Sequence, residues 1–267
     1  MEIAVSVICN AYNHENYIRS ALEGFVMQQT TFPFEVLIHD DASSDRTAEI
    51  IREYEQKYPE IIKPIYETEN QYSKHDGSLP RIQYGRAKGK YVALCEGDDY
   101  WTDPLKLQKQ YDALESHPET DICAHGAFVE INNEIHGSIE PRTKDDIIPV
   151  EELIVHGGNY VATASLMYKT SLAQDAPEFR KMLGLDYTYQ IHGALRGGML
   201  YLSEKMCTYR QSTVGSWTER VQKPSKNRRA SPSCCGHAEK LERVYRLQIR
   251  QYYPKADHYT RIASFGV

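Results

Sequence analysis

The sequence predicts an α/β domain with a mostly parallel sheet and helices packed on its faces. Three observations carry this. Short apolar, β-branched runs alternate with amphipathic stretches from Ile3 to Val129. That alternation asks for parallel strands joined by right-handed crossovers. Two of the runs end abruptly in acid clusters, Asp40-Asp41 and Glu96-Gly97-Asp98-Asp99. The length, 267 residues, suits one large domain or a domain with an extension.

The elements follow in order. Ile3 to Cys9 is a buried strand. Asn13 is placed to cap a helix whose Tyr17, Ile18, Ala21, Leu22, Phe25 and Val26 share one face. Phe34 to Ile38 is a second strand. Ser44 opens a helix carrying Ala48, Ile51, Tyr54 and Tyr58, which Pro59 stops. Ile61 to Tyr66 is a third strand, and Pro64 marks it as a sheet edge. Residues 67–80 are polar and turn-rich. Tyr91 to Cys95 is the fourth strand. Pro104 suits the first turn of a helix carrying Leu105, Leu107, Tyr111 and Leu114, which His117-Pro118 ends. Asp121 to Val129 is another strand.

The second half is less regular. Val161 to Tyr168 and Met199 to Leu202 read as strands. Asp186 begins an amphipathic segment through Leu195. A basic stretch, Lys223 to Arg229, precedes a helix over His237 to Tyr253. This divides the chain into a domain over residues 1–218 and a short, basic, mainly helical C-terminal extension over residues 219–267. The extension reads first as a terminal helix packed on the domain. Its basic charge also admits contact with an anionic membrane or a lipid-linked acceptor.

Composition narrows the function. A net charge of −6 argues against a nucleic-acid partner. No apolar run approaches the about 20 residues of a membrane span, and the start lacks a signal-peptide pattern. Three of the six cysteines lie in strand-like runs and none forms C-x-x-C, so reduced thiols and a cytoplasmic location are expected.

The acid clusters carry the chemistry. Three carboxylates within four residues at a buried strand end repel one another and lose hydration. A divalent cation relieves both penalties. In a parallel sheet, Asn10-Ala11-Tyr12-Asn13, Asp40-Asp41 and the Glu96–Asp99 cluster share one carboxyl edge, where α/β folds bind ligands. Tyr12 could stack on a base, Asp41 could accept a base N–H, and Asp98 or Asp99 could hold a metal bridging two phosphates. Alone, Asp40-Asp41 reads as turn and cap chemistry and Tyr12 as a loop aromatic. The Glu96–Asp99 cluster resists that reading, because a cap needs one carboxylate. Dinucleotide, P-loop and nucleophile-elbow motifs are absent.

With these residues in place, the chain resembles a family 2 glycosyltransferase of the GT-A fold. The matching pieces are Val5-Ser6-Val7-Ile8 with Tyr12-Asn13, Asp40-Asp41-Ala42-Ser43-Ser44-Asp45-Arg46-Thr47, and Ala87-Lys88-Gly89-Lys90-Tyr91. They continue through Glu96-Gly97-Asp98-Asp99-Tyr100-Trp101, Asp103 to Gln110, Asp186-Tyr187, Tyr209-Arg210 and Gly215-Ser216-Trp217. The resemblance implies a GT-A-like (Rossmann-like) mostly parallel central sheet flanked by helices. It implies an inverting transfer from a nucleotide-sugar, with UDP-sugar favoured, to a saccharide or lipid-linked saccharide acceptor. Manganese or magnesium is the implied cofactor. Ala11, Tyr12, Asn13, Asp41, Asp98 and Arg210 would meet the nucleotide, Asp99 with Asp98 the metal, and Asp186 would be the general base. The implied setting is surface polysaccharide synthesis at the inner face of the membrane. The chain departs from the family at Asn10-Ala11, often Pro-Thr, at Glu96, often Asp, and at Ser212, often His.

Two rivals make different predictions. A nucleotidyltransferase needs a Gly-rich, basic loop after the first strand, which Asn10-Ala11-Tyr12-Asn13-His14 lacks, and releases pyrophosphate. A non-catalytic saccharide- or nucleotide-binding module binds without turnover.

Overall fold

The structure is a computed structural model that describes residues 2–174, 177, 180 and 187–211. Among them one sheet contains β1 (Val5–Ala11), β2 (Phe34–Asp40), β3 (Ile62–Tyr66), β4 (Tyr91–Leu94) and β5 (Tyr100–Trp101). It continues with β6 (Ile122–Ile131), β7 (Glu134–Ile139), β8 (Asp146–Ile148), β9 (Met167–Lys169) and β10 (Met199–Gln211). The helices are α1 (Ile18–Val26), α2 (Thr47–Lys57), α3 (Ser78–Arg86), α4 (Lys106–Ser116), α5 (Val150–His156), α6 (Thr170–Gln174) and α7 (Tyr187–Ala194). The strand order is β3-β2-β1-β4-β9-β6-β10-β5, with β7 on β6 and β8 on β10.

The expected parallel sheet holds for β3, β2, β1 and β4. Beyond β4 the sheet is mixed: β10 runs parallel to β6, and the other pairings are antiparallel. β9 runs antiparallel to both β4 and β6, and β5 and β8 run antiparallel to β10. Of the antiparallel pairs among the described residues, β6–β7 is a hairpin, whereas the others join strands separated by long segments of chain. The β6–β7 hairpin turns through Asn132 and Asn133, both left-handed at φ 52° and 64°, the pattern of a two-residue primed turn.

Side-chain alternation along β1 divides the core. Val5, Val7 and Cys9 face α1, α2 and α4, where Leu22, Phe25, Ile51 and Leu107 are buried. Ile8, with Leu37, Val92 and Leu94, faces the layer of Tyr84 on α3, Leu153 on α5 and Ala194 on α7. Among the described residues Pro64 does sit on an edge strand, paired only with β2.

Several boundaries differ from expectation. Asn13 does not cap α1, which starts at Ile18 after a turn in which Tyr17 and Ile18 donate to the His14 carbonyl. Asn13 is left-handed, at φ 55°, and serves another loop. Likewise α2 opens at Thr47 rather than Ser44, its first N–H held by Asp45 Oδ1 at 2.9 Å. Residues 161–168 are not one strand. A short 3-10 turn, Thr163–Ser165, aims the Ala164 carbonyl at Trp101 Nε1 (3.0 Å) and the Ser165 carbonyl at Gln110 Nε2 (2.8 Å). Helix α3 has no apolar stripe to reveal it. It is held by buried Gln83, whose Nε2 donates to the Cys9 and Leu37 carbonyls. β10 continues past Leu202, because an irregularity at Ser203-Glu204-Lys205 interrupts its apolar pattern without ending its pairing with β6. Among the described residues no helix is long and apolar enough to cross a membrane. Asp186, Ser212, Gly215-Ser216-Trp217, Cys234, Cys235 and the extension over residues 219–267 lie outside the described residues.

Lys106 at the start of α4 is fully buried, with Nζ 3.9 Å from the centre of the Trp101 ring and no hydrogen-bond partner among the described residues. Burial lowers its pKa to about 8. A lowered ammonium pKa costs stability in full below pH 8, and the cost fades as pH rises toward the ordinary lysine value. Lys106→Met should therefore raise the unfolding free energy at pH 7 by about 2–3 kcal/mol, seen as a higher melting temperature. It should also flatten the rise in stability between pH 8 and 10.5, which thermal melts across pH measure. An unchanged profile would show that Lys106 is not desolvated in solution.

Candidate active site

The end of β1 ties the two acid clusters together. The Ala11 carbonyl accepts the Asp41 N–H, and the Asn10 carbonyl accepts the Gly97 N–H, each at 2.9 Å. Parallel pairing of β1 with β2 and β4 thus places both turns on one edge, as the sequence predicts. The acidic turn closes on itself through the Asp99 N–H and Glu96 carbonyl at 3.1 Å. Asn10 Nδ2 donates to Glu96 Oε1 at 3.3 Å, so Glu96 takes part in fixing the turn.

The loop bearing Tyr12 is stapled to the loop after Asp41. Asn13 N–H donates to Ser43 Oγ, His14 N–H to Thr47 Oγ1, and Glu15 N–H to Asp45 Oδ2, at 2.7–3.0 Å. In return Asn13 Oδ1 accepts the Ser44 N–H at 2.8 Å. This explains the chemistry of Ser43-Ser44-Asp45-Arg46-Thr47: its oxygens satisfy backbone donors that would otherwise face an irregular loop. Tyr12 is left 48% exposed at the edge, its ring free to meet a ligand face.

Asp41 is buried, and both of its oxygens are engaged. Oδ1 accepts the Gln71 N–H at 2.6 Å and Oδ2 the Tyr72 N–H at 3.0 Å. It therefore folds the polar loop after β3 over the edge and brings Tyr72, 52% exposed, to the rim. A carboxylate offers about four lone-pair sites, so acceptor capacity remains beside these two bonds. His39 lies behind it, Nε2 3.5 Å from Asp41 Oδ1, and burial lowers the His39 pKa. Neither Gln71 nor Tyr72 stood out in the sequence, because a loop partner thirty residues away leaves no periodic mark.

Asp99 is 3% exposed. Burial first, and the neighbouring Asp98 charge second, push its carboxyl well above the usual carboxylate range, against the opposing Arg210 N–H at 2.8 Å. Arg210 is a strut. Its Nε donates to Glu130 Oε1 (2.7 Å), one terminal nitrogen to the Asp98 carbonyl (3.0 Å) and the other to Ser20 Oγ (3.3 Å). The guanidinium also covers the Tyr100 ring at 4.3 Å, and the Tyr100 hydroxyl donates to Glu130 Oε2 at 2.8 Å. So Arg210, expected near a diphosphate, here has partners on three elements and holds the acidic turn by both its backbone and its side chain. Glu130 was missed in the sequence. A carboxylate near the end of an otherwise apolar strand was the available signal.

Gly97 is needed for space. A Cβ there would stand 2.7 Å from His14 Nδ1 and 3.1 Å from both Ala11 Cβ and Ile18 Cδ1. Overpacking of this kind costs about 1–3 kcal/mol. Gly97→Ala should lower the denaturation midpoint accordingly. Adding His14→Ala should restore part of the loss, and equal midpoints for the single and double variants would refute the contact.

Among the described residues no three His, Cys, Asp or Glu side chains converge as a complete metal-ligand set. The acidic turn still fits a hard divalent cation. Magnesium commonly uses one or two carboxylates and takes its remaining ligands from substrate phosphates and water. A desolvated Asp99 beside Asp98 gains most from a positive charge.

The sequence profile described as glycosyl transferase family 2 matches residues 6–160. An uncharacterized protein of Mycobacterium tuberculosis is 38% identical over 215 residues, covering 80% of this chain and 60% of that protein. The chain thus spans about 60% of the length of the mycobacterial relatives it matches. S. aureus TarS 1–349 in complex with UDP-GlcNAc superposes with a TM-score of 0.63 at 19% identity, over 96% of this chain and 68% of that one. The mannosyltransferase PcManGT from Pyrobaculum calidifontis, in complex with GDP-Man and Mn2+, gives a TM-score of 0.53 at 16% identity, over 95% and 73%. At these identities the likeness to solved structures is one of fold, the GT-A arrangement of a mixed sheet between helices.

Proposed function

This chain belongs to glycosyl transferase family 2, and we propose that it is a metal-dependent inverting glycosyltransferase that takes a UDP-sugar and glycosylates a saccharide or lipid-linked saccharide. The observation that carries the reading is the pinned acidic turn, Asp98-Asp99, tied through β1 to the Tyr12 loop and Asp41. UDP-GlcNAc in TarS and Mn2+ in the mannosyltransferase lend support by analogy of fold.

In this reading Tyr12 stacks on the base, with Ala11 and Asn13 shaping its loop, and Asp41 meets the base beside Gln71 and Tyr72. Asp99 and Asp98 hold manganese or magnesium, which when bound neutralises the departing diphosphate. Arg210 and Glu130 keep those carboxylates in place. Asp186 takes the proton of the acceptor hydroxyl as its oxygen bonds to the anomeric carbon. The bond from that carbon to the phosphate oxygen breaks, and the nucleoside diphosphate leaves. Surface polysaccharide synthesis at the inner membrane face is the setting proposed with it.

A panel of UDP- and GDP-sugars, each tested with manganese by thermal shift, examines the reading. One UDP-sugar should raise the melting temperature by mass action and yield UDP when a saccharide acceptor is added. Pyrophosphate release would favour the nucleotidyltransferase, and binding without turnover under any acceptor would favour the non-catalytic module. Glu130→Gln should weaken manganese binding about 10–100-fold, because partners behind metal ligands tune affinity on that scale. Manganese titration at fixed UDP measures this, and unchanged affinity would remove Glu130 from the assembly.

A further inference from the structure

His39, the penultimate residue of β2, is completely buried, yet neither ring nitrogen has a hydrogen-bond partner among the described residues. It lies between two carboxylates: Nε2 is 3.5 Å from Asp41 Oδ1 and 3.8 Å from Glu67 Oε1. Both carboxylates anchor the polar loop after β3. The Glu67 N–H donates to the Asp40 carbonyl at 2.9 Å, and Glu67 Oε2 accepts from Gln71 Nε2 at 3.3 Å. Asp41 holds the Gln71 and Tyr72 N–H groups. Helix α3 contributes the opposing charge of Arg86, whose guanidinium is committed to the Ile38 and Lys63 carbonyls and to Gln83 Oε1. The charge around the ring is thus negative on balance, two carboxylates against one guanidinium. An apolar side chain would fill this position without leaving polar atoms unsatisfied. With both nitrogens protonated, the imidazole instead carries the positive charge that the two carboxylates call for.

We propose, on the footing of the function proposed above, that His39 is a positioning residue for the nucleotide site, which takes up a proton as nucleotide binds and so clamps Asp41 and the loop at Glu67 together. In the free protein burial outweighs the two carboxylates and lowers the His39 pKa, so the ring is neutral at pH 7. Nucleotide moves that balance one way. The ring has no exposure left to lose, so its own desolvation is complete before a ligand arrives. The Glu67 side chain is still 21% exposed, and a base seated over Asp41 removes water there and strengthens the pull of Glu67 on the imidazolium. The negative diphosphate acts with the same sign. Asp41 has room for the added donor: Gln71, Tyr72 and His39 take three of its about four lone-pair sites, and one remains for the ligand. Linkage fixes the direction. A pKa that binding raises makes the gain in affinity full below the free-state pKa, and the gain fades as pH rises through the bound-state pKa.

Isothermal titration calorimetry of UDP with manganese on the full chain, across pH and in buffers of different ionisation enthalpy, reads both affinity and proton uptake. UDP and the metal-binding carboxylates titrate as well, but alike in wild type and His39→Gln, so the difference between the two proteins reports His39. The wild type should take up more protons with UDP than His39→Gln. The ratio of the two affinities should move about tenfold in favour of the wild type between about pH 7.5 and about pH 5.5, as when binding raises a pKa by about one. A residue that only packs would change affinity by one factor at every pH. NMR of the His39 ring, assigned through the backbone, reads the wild type itself and covers the case of a poorly folded variant. The ring should titrate at higher pH with UDP and magnesium than without. Parallel affinity profiles with equal proton uptake, or a ring titration that UDP leaves in place, overturn the role of His39 alone. Failure of the wild type to bind UDP at any pH overturns the proposed function as well.

Discussion

Replacing Asp99 with asparagine should lower transfer about 10³-fold while leaving the fold intact. The substitution keeps size and an oxygen able to accept the Arg210 N–H at 2.8 Å, so the turn should persist. What it removes is charge. In the folded chain that charge is unfavourable by itself, because burial and Asp98 raise the Asp99 carboxyl well above its usual range. Asparagine should thus match or exceed the wild type in metal-free stability. With metal and nucleotide-sugar the order should reverse, since neutralising a leaving diphosphate contributes several kcal/mol of transition-state stabilisation. Turnover and melting temperature, each with and without manganese, separate the two effects. Retained turnover would remove Asp99 from the site.

Asp186→Asn should lose turnover by about 10²–10⁴-fold, the usual contribution of a general base. Its signature differs from that of Asp99. UDP-sugar and manganese binding should survive, because the residue is proposed to touch only the acceptor. The comparison of interest is therefore UDP affinity against transfer rate in one variant. Equal loss of both would assign Asp186 a structural role, and undiminished transfer would end its candidacy as base.

The sequence was most informative where structure is local or periodic. The runs at Val5–Ala11, Phe34–Asp40 and Tyr91–Leu94 are legible because strands buried in a parallel sheet are nearly continuously apolar, broken inside these runs by Ser6 and Glu35, which pair with each other at 2.7 Å. Their acid-bearing ends are legible for the same reason, since a carboxylate contrasts with such a run. Helix α3 is illegible because its anchor is a buried glutamine rather than an apolar stripe. β9 is three residues long and enters from a turn shaped by Trp101 and Gln110, two distant partners.

The candidate site divides the same way. Asp98, Asp99, Tyr12 and Asp41 stand out in the sequence, but the groups that position them do not. Glu130 meets Arg210 eighty residues away, and Gln71 meets Asp41 thirty residues away, across different loops. The resemblance places Arg210 at the nucleotide, near the diphosphate, whereas its partners here follow from the register of β10 against β6, which pairs it with Glu130. Such register is set by tertiary pairing, and no single-sequence pattern encodes it.

The central claim is that the pinned acidic turn binds a divalent metal jointly with a nucleoside diphosphate. Manganese electron paramagnetic resonance tests it, by the loss of the free-ion signal on titration with wild type and Asp99→Asn, with and without UDP. Manganese should be taken up by the wild type mainly when UDP is present, and little by Asp99→Asn under either condition. Equal uptake by the two proteins, or uptake indifferent to UDP, would contradict the account.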